Sequence, residues 1–273
     1  MKMIRYCLNE MKQVILSVPF WVCCLLVMAL ETTAGFCIIG ETEISVIEAI
    51  FYFSQQERES NVLLNSFAAF SAGTGSWLSL FAPVITALPF VVLFRDETST
   101  GYRRFRIVSI EDKKLFCMIK YIVCFFTGAL IMFTGTLMFA VITEIFFPSL
   151  RSFGSEYSEM VLSSYSVSGV LQANLQHLVC CFFYGGFWAL MSFGLLGKIA
   201  NKYLIVGIPF MVKYMWRELY FKAGDKGVGP DNLLQIFYGS QSGLWIIFLY
   251  VFLGFMSFIM FYICTVRKED VGV

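Results

Sequence analysis

Six segments, 14–40, 65–94, 115–143, 175–196, 203–220 and 243–265, each run for roughly 20 mainly apolar residues or more. A helix rising about 1.5 Å per residue needs about that length to cross the roughly 30 Å of bilayer hydrocarbon. Inside hydrocarbon the backbone must satisfy its own hydrogen bonds, so such runs become helices. The expected fold class is an all-α polytopic membrane protein, a single transmembrane domain over 1–273 with six transmembrane helices. Five spans plus a re-entrant segment is the alternative count, because Pro209, Lys213 and Arg217 interrupt the fifth run. Composition agrees: 58% of residues are hydrophobic and 14% charged, with a mean hydropathy of +0.74. Soluble domains carry about a quarter charged residues.

The first run has the basic flank of a signal peptide (Lys2, Arg5, Lys12), but it is long and no A-x-A site follows it, so a retained span is expected. Ahead of it, Met1, Ile4, Leu8 and Met11 recur at helical spacing opposite Lys2, Arg5, Asn9 and Lys12. This pattern predicts an amphipathic surface helix over 1–13. Orientation follows from basic residues. With both termini inside, fourteen of the 20 Lys and Arg fall on inner segments and six on outer loops and the fifth run. The positive-inside rule then puts both termini in the cytoplasm. The net charge of +1 gives no argument for a nucleic-acid partner.

The cytoplasmic loop 95–114 is more than a linker by composition, because charges of both signs alternate with Tyr102, Phe105, Ile107, Val108 and Ile110. Ser109 with Asp112 three residues on makes a capping-box variant, so the third helix is expected to start near Ser109. Thr98, Tyr102 and Phe105 fall on one helical face, with Arg103, Arg104 and Arg106 elsewhere. A protein-docking face, a basic patch for anionic lipid heads and simple enforcement of topology all fit that pattern.

The segments 80–90 (LFAPVITALPF), 95–105 (RDETSTGYRRF) and 118–121 (MIKY), with the basic turn inside 194–210 (GLLGKIANKYLIVGIPF), resemble the permease subunits of type-2 ABC exporters of Gram-positive bacteria. In that pattern an acidic residue closes the second span, a glycine and a basic amphipathic stretch follow, and a lysine comes early in the third span. Glu97, Gly101, Arg103 and Lys120 match in that order. The resemblance implies an ABC-2 permease architecture in the bacterial plasma membrane. It also implies a second permease copy, as homodimer or heterodimer, and two ATP-binding subunits. Glu97, Thr98, Gly101, Tyr102, Arg103, Arg104 and Phe105 would form the coupling element that rests on the ATPase. Among such exporters, those of phenol-soluble modulin peptides fit an amphipathic or apolar cargo, whether peptide, lipid or drug. A non-transporting membrane scaffold or immunity protein using the same loop is the alternative.

Enzymatic chemistry has little footing. The chain has no G-x-x-x-x-G-K-[ST], so no cofactor is expected here, and the ATP-driven process that the resemblance implies would need ATP and Mg on a partner subunit. Its one histidine, His177, excludes a two-histidine metal site and reads as a structural polar residue. The nine cysteines lie in or beside apolar runs, without C-x-x-C spacing, and read as small buried hydrophobes. Ionisable residues inside spans are costly and mark function. Glu31 in the first run and Lys213 and Arg217 in the fifth are the instances. Lys213 and Arg217 are four apart and share a helix face, so they want an anion or carboxylate between them. Glu31 is expected as that counter-charge, lining a central cavity, and Pro209 as the bendable point of a gate. For Arg217 the alternative is a snorkelling side chain at the outer surface. A turn–helix–turn over 225–243 is expected to dip back as an outer lid. Ala68, Ala72 and Ser76 form a small-residue stripe for close packing.

Overall fold

The protein, described by a computed structural model over residues 2–39, 42–73, 76–101, 113–164, 169–196, 198–222, 229–231, 234 and 243–270, is dominated by helices. In chain order these are α1 (Lys2–Ile15), α2 (Val18–Thr32), a hairpin of β1 (Gly35–Ile39) and β2 (Thr42–Ser45), then α3 (Val46–Tyr52), α4 (Gln55–Ser60), α5 (Ser66–Ala72) and α6 (Ser76–Ser99). They continue with α7 (Lys113–Phe146), a 3-10 turn (Leu150–Phe153), α8 (Ser155–Ser164), α9 (Val170–Leu195), α10 (Lys202–Lys222) and α11 (Gly243–Asp270).

Three helices, α6, α7 and α9, are long and apolar enough to cross a membrane, and four spans result if α1 and α2 count as one bent unit. In α10, Lys213, Arg217 and Glu218 interrupt the apolar run, and the described apolar part of α11, Tyr250–Ile263, is shorter. Outward faces are apolar, with Leu25, Val141, Val179, Met211 and Phe255 all exposed. A surface of that kind is at home in lipid. The chain is thus an all-α type of membrane protein.

The bundle is organised around α9, which packs chiefly on α7 and then on α11 and α6, while α2 lies against α7 and α6, and α10 against α6. What allows α7 and α9 to meet is the absence of side chains at their crossing. A Cβ on Gly128 would stand 2.6 Å from the Gly185 carbonyl oxygen, and a Cβ on Gly185 would collide with the Gly128 carbonyl in turn. Small residues let helix backbones approach this closely where no hydrophobic effect drives them together. Around the crossing the core is aromatic; Phe193 and Phe261 pack with ring centroids 4.1 Å apart, flanked by Phe90, Phe94 and Tyr121.

The predicted runs 115–143, 203–220 and 243–265 lie inside α7, α10 and α11, and 175–196 coincides with α9 to within one residue at its end. The first run is different. It is not one helix: α1 ends at Ile15 and meets α2 at 64°. Ser17 Oγ donates to the Val14 carbonyl at 2.6 Å, and Pro19, lacking an N–H, opens α2 instead of continuing α1. At its far end α2 stops at Thr32, where Thr32 and Thr33 turn their hydroxyls back onto Ala29 and Leu30. Its 15 residues cover only about 22 Å, and residues expected to finish the span form the hairpin instead, with Ile39 paired to Thr42.

The second run is also interrupted, because α5 ends at Ala72 before α6 begins. Ala68 and Ala72 therefore sit on a different helix from Ser76, and the close approach expected of that stripe is supplied by Gly128 and Gly185. The amphipathic helix over 1–13 is present as α1, with Ile4 and Leu8 facing outward. It docks on the bundle through the neighbouring face that carries Glu10 and Val14, both buried.

The hairpin end is shaped by short-range capping. Ser45 and Glu48 form a capping box on α3, and Ser54 and Glu57 another on α4, each glutamate carboxylate taking the serine N–H and hydroxyl at 2.8 Å. Those bonds, to the Ser45 backbone first for Glu48 and to the Ser54 hydroxyl first for Glu57, hold both carboxyls below the usual carboxylate range.

Candidate functional site

Among the described residues, charged side chains gather at two places inside the bundle. The first lies at the end that carries the α6–α7 connection. Lys120, about two turns into α7, donates to Glu10 of α1 at 2.6 Å and to Glu97 of α6 at 2.7 Å. The lysine side chain is 2% exposed and the two carboxylates 9% and 17%. Phe94 and Phe116 lie under the ammonium at 5.6 and 5.7 Å, an arrangement that adds cation–π attraction in a partly desolvated site. A cavity of about 380 Å³ opens beside it, walled by Val14, Phe90, Leu93 and Phe94 and edged by Gln13, Asp96 and Thr100.

One ammonium serving two carboxylates joins three helices at a point. Charge removed from water here is stable only because each member is paired. The linkage holds α1, the last turn of α6 and the first turns of α7 to one another. Beside it Arg95 donates to the carbonyl of Leu196 at 3.0 Å, tying the end of α6 to the C-terminus of α9, where cations are favoured by the helix dipole.

Of the expected coupling residues, Glu97 and Thr98 belong to this last turn of α6. Glu97 points inward to Lys120, and the Thr98 hydroxyl returns to the Phe94 carbonyl at 2.8 Å. Gly101 follows with φ of 72°, the left-handed conformation that ends helices and that glycine adopts without penalty. Tyr102, Arg103, Arg104 and Phe105, and the expected helix start at Ser109, lie outside the described residues.

The second cluster surrounds Lys213 of α10, whose side chain is fully buried while Asp231, its ion-pair partner at 2.9 Å, is 21% exposed. Lys213 also donates to the Tyr184 hydroxyl of α9 at 2.5 Å, and that hydroxyl donates to Asp231 at 2.8 Å. The rings of Tyr184 and Trp188 lie 5.2 and 5.6 Å from the ammonium. Pro83 has a part in this geometry. It has no N–H for the carbonyl of Ser79, four residues before it in α6, and that carbonyl lies 3.4 Å from the Tyr184 hydroxyl. The segment bearing Asp231 is pinned as well, with Gly229 and Pro230 buried and the Tyr250 hydroxyl donating to the Pro230 carbonyl. The expected inward return of 225–243 is described only at 229–231 and Leu234, and all of these but the half-buried Asp231 are buried in the bundle.

The counter-charge of Lys213 is therefore Asp231, not Glu31. Glu31 is fully buried elsewhere, between α2 and α7, where its Oε1 accepts from the Thr136 hydroxyl at 2.7 Å and its Oε2 has no hydrogen-bond partner. Arg217 stacks over Phe221 at 5.6 Å, one turn further along α10, and is separate from the Asp231 pair. Pro209 is buried inside α10. His177 packs edge-on against Phe70 at 5.0 Å, as a structural residue does. Among the described residues no three His, Cys, Asp or Glu side chains converge as metal ligands would.

Sequence reasoning did not find Glu10 or Asp231. Each had a weak signal: Glu10 is an acid next to the apolar stripe of an otherwise basic helix, and Asp231 directly follows the Gly229–Pro230 turn.

No family model matches the chain, and no curated protein or solved structure matches it.

Proposed function

We propose that this chain is the membrane subunit of an ATP-driven ABC exporter in a bacterial plasma membrane, crossing it six times with both termini in the cytoplasm. It works with a second permease copy and two separate ATPase subunits, which hold ATP and Mg. The observation that carries the reading is the contact between Glu97 and Lys120 at 2.7 Å. Both residues are part of the resemblance to type-2 permeases, they are 23 positions apart in sequence, and they are physical partners where the loop between them begins and ends.

A push on residues 95–106 from closing ATPase subunits would reach α6 and α7 together through that pair, α1 through Glu10 and α9 through Arg95. The chain's part is mechanical: it transmits force, provides a path for an amphipathic or apolar cargo, and makes no covalent bond. The test is whether a gene for a P-loop ATPase lies beside this one and whether its product co-purifies with the chain in mild detergent. A stable complex is expected, with ATP hydrolysis that changes severalfold on Tyr102→Ala. If the chain purifies with no ATPase and leaves the rate of the added enzyme untouched, it is a scaffold or immunity protein.

A further inference from the structure

The end of the molecule that carries the hairpin holds a cation without a counter-charge. Arg58 is the half-buried residue of α4, whose other five side chains are exposed. Its guanidinium lies over the Phe147 ring at 5.8 Å, and its Nε and Nη1 are buried without a hydrogen-bond acceptor. The acceptors at hand are engaged elsewhere. Glu57 caps Ser54, Glu59 accepts from the Gln55 amide at 2.9 Å, and Glu144 Oε1 accepts from the Ser66 hydroxyl at 3.1 Å. The Pro148 carbonyl takes the Ser66 N–H at 2.9 Å. Among the described residues Arg58 therefore forms no ion pair. A cation that has given up part of its hydration without an acceptor is costly, so its presence needs a reason.

Arg58 lines a cavity of about 370 Å³, walled by Ile145, Phe146, Phe147 and Pro148 and edged by Gln55 and Glu59. Its depth matches a lipid headgroup. Lys120 and Glu144 mark the two ends of the apolar part of α7 and are 24 residues apart, about 36 Å along a helix and a little more than the roughly 30 Å of hydrocarbon. Ile145 and Phe146 follow Glu144 directly and are 69% and 43% exposed. The cavity thus opens where acyl chains give way to phosphates. We propose that Arg58 and this cavity seat the phosphate of an anionic phospholipid, whose acyl chains run along Ile145 and Phe146. The planar guanidinium, with its forked donors, is the side chain suited to a phosphate. The proposal needs only the membrane character of the chain and is independent of the exporter reading.

The test is native mass spectrometry of the full chain in maltoside micelles doped with equal amounts of dioleoyl phosphatidylglycerol and dioleoyl phosphatidylcholine. The two differ only in headgroup, and choline cancels the phosphate charge. The parent is expected to hold phosphatidylglycerol about tenfold more tightly, the worth of one charge-assisted hydrogen bond. Arg58→Gln is expected to remove that preference, whereas Arg151→Gln, at an exposed arginine just beyond α7, is expected to keep it. Equal retention of the two lipids by the parent, or a preference that survives Arg58→Gln, overturns the proposal. Loss of the preference in Arg151→Gln as well assigns it to the general charge of that end and overturns the site. Displacement of phosphatidylglycerol by an equal concentration of inorganic phosphate overturns the lipid in favour of a free oxyanion. Should Arg58→Gln fail to fold, Ile145→Glu, at a position 69% exposed, sets a carboxylate in the cavity wall and must abolish the preference; a preference that survives it overturns the proposal.

Discussion

Replacing Lys120 by Met keeps length and apolar packing but removes the ammonium that two carboxylates share at 2.6 and 2.7 Å. Breaking a buried ion pair by deleting one partner costs about 3–5 kcal/mol. Glu97, at 17% exposure, can turn toward water and Glu10 far less, so the lower end applies, about 3 kcal/mol. At about 2–4 °C per kcal/mol for a chain of this size, the apparent melting temperature in detergent is expected to fall by roughly 6–12 °C. Intrinsic fluorescence during a thermal ramp measures it. Lys120→Arg, which keeps the charge, is expected to lose much less. The carboxylates should also behave as a unit: Glu10→Gln alone leaves Lys120 paired to Glu97, so removing the second acid must cost more than removing the first, with a coupling of about 1–2 kcal/mol. A Lys120→Met protein that melts with the parent, or additive losses from the two glutamates, would refute the three-helix linkage.

Gly128→Ala puts a methyl group 2.6 Å from the Gly185 carbonyl, and is expected to cost about 1–3 kcal/mol by overpacking, read in the same ramp. Thr136→Val strands Glu31 Oε1 and is expected to cost about 1–3 kcal/mol, whereas the charge swap Glu31→Lys with Lys213→Glu should rescue neither single change; recovery in the swap would restore the pairing that Asp231 now fills. Because Glu48 and Glu57 are held below the usual range in the folded chain, their contribution is complete above the ordinary carboxylate pKa and is lost as pH falls through the lower folded values. The protection of amides in α3 and α4, taken relative to the intrinsic exchange rate at each pH, is therefore expected to fall on acidification below about pH 4, and Glu48→Gln should remove that dependence in α3; an unchanged pH response in Glu48→Gln argues against the capping box as its source.

The long central helices were legible in the sequence because hydropathy alone dictates them: α7, α9, α10 and α11 lie where the apolar runs lie. Their ends and breaks depend on finer chemistry. Ser17 and Pro19 divide the first run, and the paired threonines at 32 and 33 with Gly35 finish it, yet all sit inside a stretch whose average hydropathy reads as continuous helix. Ile38 and Ile39 favour a strand as readily as a helix, and only pairing with Thr42 and Glu43 decides between them. The candidate site was half legible. Lys213 declared itself by its cost in an apolar run, but depth along the helix could not say which carboxylate neutralises it, since tertiary adjacency chooses Asp231, 18 residues downstream in sequence. Glu97 and Lys120 emerged by resemblance, while the third member, Glu10, is 110 positions from Lys120 and no local pattern links them.

The bond from Arg95 to the Leu196 carbonyl has a consequence for how this end of the molecule can move. It fastens the last turn of α6 to the C-terminal end of α9, so these two helix ends are held to move as one. Spin labels placed at Asp96 and Lys198 should keep a constant separation through any working cycle, and should drift apart only when Arg95→Ala unfastens that joint.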